Sequence, residues 1–462
     1  MIRLIIGYNP HMQARKSLIF AWGAMVFIVL LIACAGGLLM LKVLPPLDAD
    51  RIMRRLPGPA RQAVSAILFP HPDWVPTPDR AQVVNVAALL TPAPIIKPTW
   101  TPTLAPTLVP SSAPAVSPSL TPTAEPTSVS PSISIPTVRA PGPTQAARST
   151  PASSQGIDVL LRTAKQEYQG WNNCGPATLA MNLSVFGWKG TQYDAAKFLK
   201  PDSEDKNVSP DQLVAYARSI GFQAHSRVNG NTDLIKALLR ANLPVLIEKG
   251  FEPEADLGWM GHYELIVGFN DSKAEFIAMD SYLGPYQSVP YETFDTYWRQ
   301  FNRTYVLIYT DVQAETIQAI VGDQLDDATM WAGALAHAQQ EAAANPNDPF
   351  AWFNLGTTYV ALNDMKRAAS AYDQARQLGL PWRMTWYQFG WFEAYLGVGR
   401  YDDVLALADA TLKVTTNIEE MYYYKGLALK AQGNIGGART QLELSLKHNS
   451  NFEPAKAALA AL

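Results

Sequence analysis

The sequence predicts an α+β domain followed by an all-α helical repeat, with a transmembrane helix and a disordered segment ahead of them. Three observations lead to this prediction: an uncharged apolar run near the N-terminus, a proline-crowded segment, and a C-terminal region that repeats itself. With 462 residues the chain has room for two or three folded units of about 150 residues each. Lys and Arg number 37 against 40 Asp and Glu, so the net charge of −3 excludes electrostatic capture of nucleic acid.

The apolar run covers residues 18–41 and is flanked by Arg15 and Lys16 before it and Lys42 after it. As a helix it would extend about 36 Å, enough to cross a bilayer. A cleaved signal peptide usually has an apolar region of about 7–15 residues, so the length favours an uncleaved anchor. The alternative is a lipoprotein signal, because the residues that end at Cys34 resemble a lipobox. Both interpretations attach the chain to a membrane.

The proline-crowded segment follows a juxtamembrane region that we place at residues 42–90. Of the 35 prolines, 15 lie between Thr91 and Pro151, where Thr-Pro and Ser-Pro pairs recur. Such a composition holds the chain extended without internal hydrogen bonds. We therefore expect residues 91–155 to be a disordered Pro/Thr/Ser-rich linker. Linkers of this kind are typical between an anchor and extracytoplasmic domains, so we expect residues 1–17 in the cytoplasm and the folded domains outside it.

The first informative motif of the globular part contains Cys174. Pro176, a favoured residue of a first helical turn, follows it, and then Leu179 and Leu183 recur at helical spacing. The sequence therefore predicts Cys174 at a helix N-terminus, where the helix dipole and free amide groups stabilise a thiolate. The alternative is a buried structural cysteine, but such a cysteine is seldom next to a polar residue such as Asn173 at the start of a helix.

A hairpin is predicted farther along the chain. The pattern indicates a strand over His262–Phe269, a turn over residues 270–272 and a returning strand over Glu275–Asp280. A hairpin centred on Asp271 would place Asp280 directly opposite His262, with Cβ atoms about 4.5–5.5 Å apart. Asp271 itself would lie about 30 Å from His262. The geometry therefore selects Asp280 as the carboxylate partner of His262.

These residues together supply a nucleophile, a base and a group that orients the base. A thiolate attacks an acyl carbon, an imidazole moves the proton, and a carboxylate holds the imidazole. Each residue alone has an ordinary structural interpretation, since a histidine at a strand start is often a surface group and an aspartate at a strand end often forms a turn. Their combination predicts Cys174, His262 and Asp280 as catalytic residues.

Residues 156–311 resemble the papain-like cysteine peptidases of the bacteriocin-processing, double-glycine leader peptidase family, and more closely their stand-alone bacterial relatives. The matching segments are "NNCGPATLAM", "GFQAHS", "LPVLIEKG", "GHYELIVGFND" and "MDSYLGP". The resemblance implies a papain-like fold, with a Cys-bearing helix on an antiparallel sheet, and a prokaryotic host. It also implies Cys174 as nucleophile, His262 as general base and Asp280 as its orienter.

The resemblance further implies a glutamine shortly before the cysteine as a donor to the oxyanion of the tetrahedral intermediate. Gln169 is the predicted donor, and Gln166 is the alternative because the spacing varies in such families. No metal site and no cofactor are expected, since the six histidines and two cysteines show neither H-E-x-x-H nor C-x-x-C spacing.

The C-terminal residues 326–462 form a helical repeat. Small or branched residues recur in register: Gly356, Gly390 and Gly426 at separations of 34 and 36 residues, and Ala368, Val404 and Ala438 at 36 and 34. The units resemble tetratricopeptide repeats, about three and a half in number, of which the middle one is degenerate. Such solenoids bind peptides or partner proteins on a concave face. Their aromatic residues, such as Trp386, Trp391, Tyr422 and Tyr424, either contact a ligand or fill the core between helices.

The sequence thus predicts a membrane-anchored cysteine peptidase at a prokaryotic cell surface or in the periplasm. It would act on a peptide or protein substrate, and the repeats would recruit that substrate or a partner protein. Two alternatives use the same residues. In one, the domain is a scaffold that binds peptides without cleaving them. In the other, it is an amidase or acyl transferase that acts on a cell-wall peptide.

Overall fold

A computed structural model describes residues 60, 63–64, 75–78, 86–91, 158–253 and 257–462. The predicted anchor at 18–41 and nearly all of the predicted linker at 91–155 lie outside these ranges and stay predictions. Within the described ranges, no helix is long and apolar enough to span a bilayer.

An α+β region forms the first large part. Its strands are β1 (Val159–Leu160), β2 (Gln223–Arg227), β3 (Val245–Phe251), β4 (Met260–Asn270), β5 (Glu275–Asp280), β6 (Gly284–Pro290) and β7 (Tyr305–Tyr309). After the short helix α1 (Val86–Leu90), its helices are α2 (Cys174–Val185), α3 (Gln192–Leu199), α4 (Pro210–Ser219), α5 (Thr232–Arg240), α6 (Tyr291–Trp298) and α7 (Ala314–Val321). The predicted α+β class is therefore observed.

The seven strands form one antiparallel sheet in the order β2-β7-β3-β4-β5-β6. The long strand β4 pairs with β3 along its first half, and β1 pairs with its far end at Gly268 and Phe269. Helix α2 packs against β4, and nearly all of its residues from Gly175 to Leu183 are buried. The N-terminus of α2 is thereby fixed against the central strand of the sheet.

The hairpin between β4 and β5 corrects one prediction. Glu264, and not His262, lies directly opposite Asp280. The turn is longer than predicted, because Asp271–Lys273 form a 3₁₀ turn and Ala274 closes it in the left-handed region with φ +51°. The turn displaces the neighbouring pairs by three residues, and a β-bulge between Ile266 and Gly268 takes one residue back, so the pairing at Asp280 is moved by two residues. Since side chains alternate along a strand, His262 and Glu264 still share one face.

The remaining chain is helical. Its helices are α8 (Asp327–Ala344), α9 (Pro349–Ala361), α10 (Met365–Leu378), α11 (Gly390–Gly397), α12 (Tyr401–Leu412), α13 (Glu419–Ala431), α14 (Ile435–His448) and α15 (Glu453–Ala460). Two of the recurring glycines lie where helices touch: a Cβ added to Gly356 would lie 2.8 Å from Tyr372, and one added to Gly426 would lie 2.8 Å from Leu442. The glycines thus allow the close approach of paired helices.

The repeat register coincides with helix pairs, whereas the tetratricopeptide assignment itself stays a prediction. Trp391 and Tyr424 are buried in the core, and Trp386 and Tyr422 are half-buried. The degenerate middle unit has a physical counterpart, because its first helix, α11, is short and follows a 3₁₀ segment at Trp382–Trp386.

The helical region packs directly against the α+β region. Trp259 and Phe301, which lie in the α+β region, belong to the apolar core of the helices. Asn354 on α9 donates a hydrogen bond of 2.7 Å to the carbonyl of Arg299. Parts of the predicted juxtamembrane region also lie on the helices, since the Val75 amide donates to the Leu380 carbonyl at 2.9 Å.

Candidate active site

Cys174 is the first residue of α2, as the sequence predicts. Asn173 precedes the helix with non-helical backbone angles. Pro176 lies in the first turn, where its lack of a backbone N–H leaves no donor unpaired. The free backbone amides and the positive end of the helix dipole are therefore close to the Cys174 thiol. The thiol is half-buried, and Cys174 is the one free cysteine in the described part of the chain.

A brace from α3 fixes the loop that leads into Cys174. The Gln192 side chain accepts hydrogen bonds from the Gly170 amide at 2.7 Å and from the Asn173 side chain at 3.1 Å. It also donates to the carbonyl of Tyr168 at 2.8 Å. A single buried amide thus satisfies three groups of the loop, which holds the residues on both sides of Gln169 in place.

The structure brings His262 and Asp280 together. The Nε2 atom of His262 lies 3.1 Å from Oδ2 of Asp280, and both side chains are buried. The other carboxylate oxygen, Oδ1, accepts hydrogen bonds from the backbone amides of Tyr282 at 2.6 Å and Leu283 at 2.8 Å. Because every direction of the carboxylate is occupied, Asp280 is rigidly oriented toward the imidazole. The predicted contact therefore exists although the predicted register was wrong.

Phe251 on β3 holds the other face of the His262 ring. The two rings stack at 4.3 Å between centroids and at 17° between planes. The Phe251 ring meets Tyr282 edge-on at 5.6 Å, so it also connects the histidine to the loop after Asp280. Stacking restricts rotation of the imidazole and keeps it in the plane that reaches both Asp280 and Cys174.

Charges at the site favour a thiolate–imidazolium pair. Burial alone would raise the pKa of the Cys174 thiol. The hydrogen bond and charge of His262, with smaller effects of the Tyr263 amide and the Lys200 charge, bring that pKa below its ordinary value. Burial would lower the pKa of His262, but the charge and hydrogen bond of Asp280 and the contact with Cys174 raise it to about 9.

Asp280 stays ionised in this setting. Burial raises its pKa, but the charge and hydrogen bond of His262, the Leu283 amide and the charge of Lys249 lower it well below its ordinary value. Lys249 also forms a buried ion pair of 2.9 Å with Glu264, the residue opposite Asp280. The lysine therefore neutralises two carboxylates that face each other across the hairpin.

The two candidate glutamines have different surroundings. Gln169 is half-buried, and its Oε1 accepts a hydrogen bond of 2.8 Å from the Ser281 hydroxyl, so its amide nitrogen points away from Ser281. In contrast, the amide nitrogen of Gln166 donates to the carbonyls of Asp280 at 2.8 Å and Glu167 at 3.2 Å. Gln166 thus spends both amide hydrogens on the backbone, and the oxyanion role of Gln169 stays a prediction.

Two features near the site were missed by sequence reasoning. Lys200 is a buried cation beside the Cys174 loop, and no local pattern distinguishes it from a surface lysine. The degenerate repeat contributes Arg383, which donates to the carbonyl of Trp259 at 3.0 Å, and Tyr387, whose ring covers Gly261 next to His262. The departure of that repeat from the repeat pattern was the one feature of the sequence that pointed to these contacts.

The arrangement can perform nucleophilic acyl chemistry. It offers a thiolate at a helix N-terminus, an imidazolium able to return a proton, and an amide donor on the adjoining loop. Among the described residues, no group of three or more His, Cys, Asp and Glu side chains is placed to hold a metal ion.

Comparison with known proteins finds a family model that is similar to this part of the chain. Residues 157–306 match the model of the "Peptidase_C39 like family". Two solved structures are similar to about a third of the chain. A C39-like peptidase from Bacillus anthracis has 18% identity and a TM-score of 0.28 over 33% of this chain and 97% of its own. The peptidase domain of Streptococcus ComA, a bifunctional ABC transporter involved in quorum sensing, has 16% identity and a TM-score of 0.26 over 32% and 100%. No curated protein matches the chain.

Proposed function

Because residues 157–306 match the model of the C39-like peptidase family, we propose that this protein is a cysteine peptidase that hydrolyses peptide bonds through Cys174, His262 and Asp280. The observation that supports this proposal most is the buried imidazole of His262, whose Nε2 lies 3.1 Å from the Asp280 carboxylate and which lowers the pKa of the Cys174 thiol. A purely peptide-binding scaffold would have no need of a buried imidazole with that pair of partners.

The proposed reaction has two stages. The Cys174 thiolate attacks the peptide carbonyl, and Gln169 with the Cys174 amide stabilises the negative oxygen that forms. The C–N bond breaks as the His262 imidazolium gives its proton to the leaving amine, which leaves a thioester. Water then attacks the thioester, loses a proton to His262, and releases the carboxylic acid and the thiolate.

The rest of the chain would place the peptidase domain at a membrane and bring a substrate or partner protein to it. We propose that residues 18–41 anchor the protein in a membrane, that residues 91–155 hold the peptidase off the bilayer, and that the helical repeats bind a substrate or partner protein. The apolar run, the proline-rich composition and the repeat register support these roles. The helix pairs seen in the C-terminal region are compatible with the last of them.

The test is digestion by the full-length protein of an unfolded protein, a peptide library and peptidoglycan fragments, with products identified by mass spectrometry. Cleavage between amino acids that is lost in Cys174→Ala and kept in Cys34→Ala would support the proposal. Cleavage confined to peptidoglycan fragments would favour the amidase alternative. No product from any substrate, with folded protein, would favour the scaffold.

A further inference from the structure

Lys200 follows α3 and is 4% exposed, which is unusual for a lysine. Its ammonium group donates to three backbone carbonyls: Asn172 at 3.0 Å, Asp205 at 3.0 Å and Trp171 at 3.5 Å. An ammonium group has three N–H donors, and three acceptors surround it here. The site is therefore built for a protonated lysine and connects the loop before Cys174 to the loop at residues 200–208.

The carbonyl of Asn172 has a special place in that loop. Asn172 adopts the left-handed region with φ +51°, and Asn173 and Cys174 follow it directly. A left-handed non-glycine residue costs free energy and persists when its surroundings hold it. Lys200 stabilises this conformation through its hydrogen bond to the Asn172 carbonyl, which belongs to the peptide that directs the chain into α2.

Lys200 is also a charge near the nucleophile. Its positive charge lowers the pKa of Cys174, and burial lowers the pKa of Lys200 itself while Asp205 and Cys174 oppose that change. The other charged groups that face Lys200 are Lys206 and Glu204, both on its own loop. His262 lies on β4 and Lys200 follows α3, so the two cations act from different elements.

The helical region holds this loop in turn. Asn207 donates to Oε1 of Glu420 on α13 at 3.2 Å, and Asn417 donates to Oδ2 of Asp202 at 2.8 Å. His448 at the end of α14 lies 2.9 Å from the same Asp202 oxygen. The carboxyl groups of Glu419 and Glu420 face Asp205 from α13. The loop at residues 200–208, which carries the Asp205 carbonyl that accepts from Lys200, is therefore fixed by the C-terminal helices.

We propose that Lys200 is a positioning residue for Cys174, which fixes the peptide before the nucleophile and stabilises the thiolate by its buried charge. This inference rests on the proposed function. It makes the helical region part of the support of the active site, in addition to any role in binding a partner.

The test is the pH dependence of iodoacetamide alkylation of Cys174 in the full chain, read from the peptide that carries Cys174 by mass spectrometry. Lys200→Met removes the charge and the hydrogen bonds, whereas Lys200→Gln removes the charge and keeps amide donors. Lys206→Met is the matched control, because Lys206 is a cation on the same loop that pairs with Glu204 at 3.8 Å. Thermal unfolding shows whether each variant is folded.

We expect the alkylation midpoint to rise in Lys200→Met and Lys200→Gln and to stay unchanged in Lys206→Met. Unchanged midpoints in the Lys200 variants, or an equal rise in Lys206→Met, would overturn the inference. Loss of folding in both Lys200 variants would overturn it in favour of a structural role. A wild-type midpoint near 8.5 would overturn the proposed function itself, so the two failures are distinguishable.

Discussion

His262 has three neighbours that act on it differently. Asp280 and Cys174 raise its pKa to about 9, Asp280 also lies 3.1 Å from Nε2, and Phe251 stacks on the ring. Because the pKa of the thiol is lowered while that of the imidazole is raised, the environment favours the charged pair over the neutral pair. The pair is lost at the alkaline side when the imidazolium gives up its proton near pH 9.

The Asp280→Asn variant tests this alkaline limit. Removal of the negative charge removes the main cause that raises the pKa of His262, so the alkaline limit of activity should fall from about 9 by about 1–3 pH units. The pH profile of peptide hydrolysis measures it. Asp271→Asn, which changes the carboxylate at the far turn of the same hairpin, should leave the profile as it is. An unchanged limit in Asp280→Asn would contradict the assignment.

Gln169→Ala tests the oxyanion donor. Loss of one such donor typically lowers kcat about 10²–10³-fold, and the thiol pKa should not move because the Gln169 amide is uncharged. Steady-state hydrolysis and thiol alkylation measure the two effects separately. Gln166→Ala is the control and should cost less, since its nitrogen donates to the Asp280 and Glu167 carbonyls. A larger loss in Gln166→Ala would make Gln166 the donor.

At the scale of elements, sequence reasoning predicted much of the hairpin but not its register. The bounds Glu275–Asp280 agree with β5, and the start of α2 agrees with Cys174. The register depended on the turn, where a 3₁₀ segment and left-handed Ala274 add length, and on a β-bulge between Ile266 and Gly268; no residue pattern predicts either feature. The contact survived the error because a shift of two residues returns a side chain to the same face.

Contacts between distant elements could not be predicted. Tyr387 reaches Gly261 from a repeat that departs from its own pattern, and sequence periodicity says nothing about what a departure touches. The contacts of Lys200 were equally unpredictable, because its three carbonyl acceptors come from two loops that α2 and α3 bring together. Pattern reasoning therefore found the residues of the proposed chemistry and missed those that support them.

Gly261→Ala tests the packing of the degenerate repeat on β4. A Cβ at this position would lie 2.9 Å from the Tyr387 ring and 3.0 Å from Phe301, so overpacking should lower the free energy of unfolding by about 1–3 kcal/mol. Urea unfolding measures it. Gly436→Ala on α14 has open space around its Cβ and should be neutral or stabilising by up to about 1 kcal/mol. Equal effects of the two substitutions would contradict this packing.

At the scale of the whole molecule, the α+β region and the helices share one interface with both apolar and acidic parts. Trp259 stacks on Phe301 at 5.8 Å within the apolar part. In the acidic part, burial and mutual repulsion raise the pKa of Asp205 and Glu420 well above the ordinary range. Carboxyl groups of this kind make the docking of the two regions dependent on pH.

The Glu420→Gln variant tests that dependence. The folded state raises the pKa of Glu420, so this group stabilises the fold most below the unfolded pKa of about 4.3, and that stability is lost as pH rises toward the raised value. Glutamine stays neutral, so the variant should melt about 2–4 °C higher than wild type at pH 7.5, with the advantage vanishing near pH 4.5.

Thermal unfolding at several pH values measures this difference. Glu453→Gln is the control, because Glu453 is exposed on α15 and pairs with Lys456 at the surface. A lower melting temperature of Glu420→Gln at pH 7.5, or a difference that does not change with pH, would contradict the buried acidic interface.

The central claim is the thiolate–imidazolium pair of Cys174 and His262, and alkylation of Cys174 against pH in wild type and His262→Ala tests it most directly. In wild type we predict rapid alkylation well below pH 7, because His262 lowers the pKa of the thiol. In His262→Ala the low-pH reaction should vanish and the midpoint should move toward about 8.5. A single titration near pH 8.5 in both proteins would contradict the account.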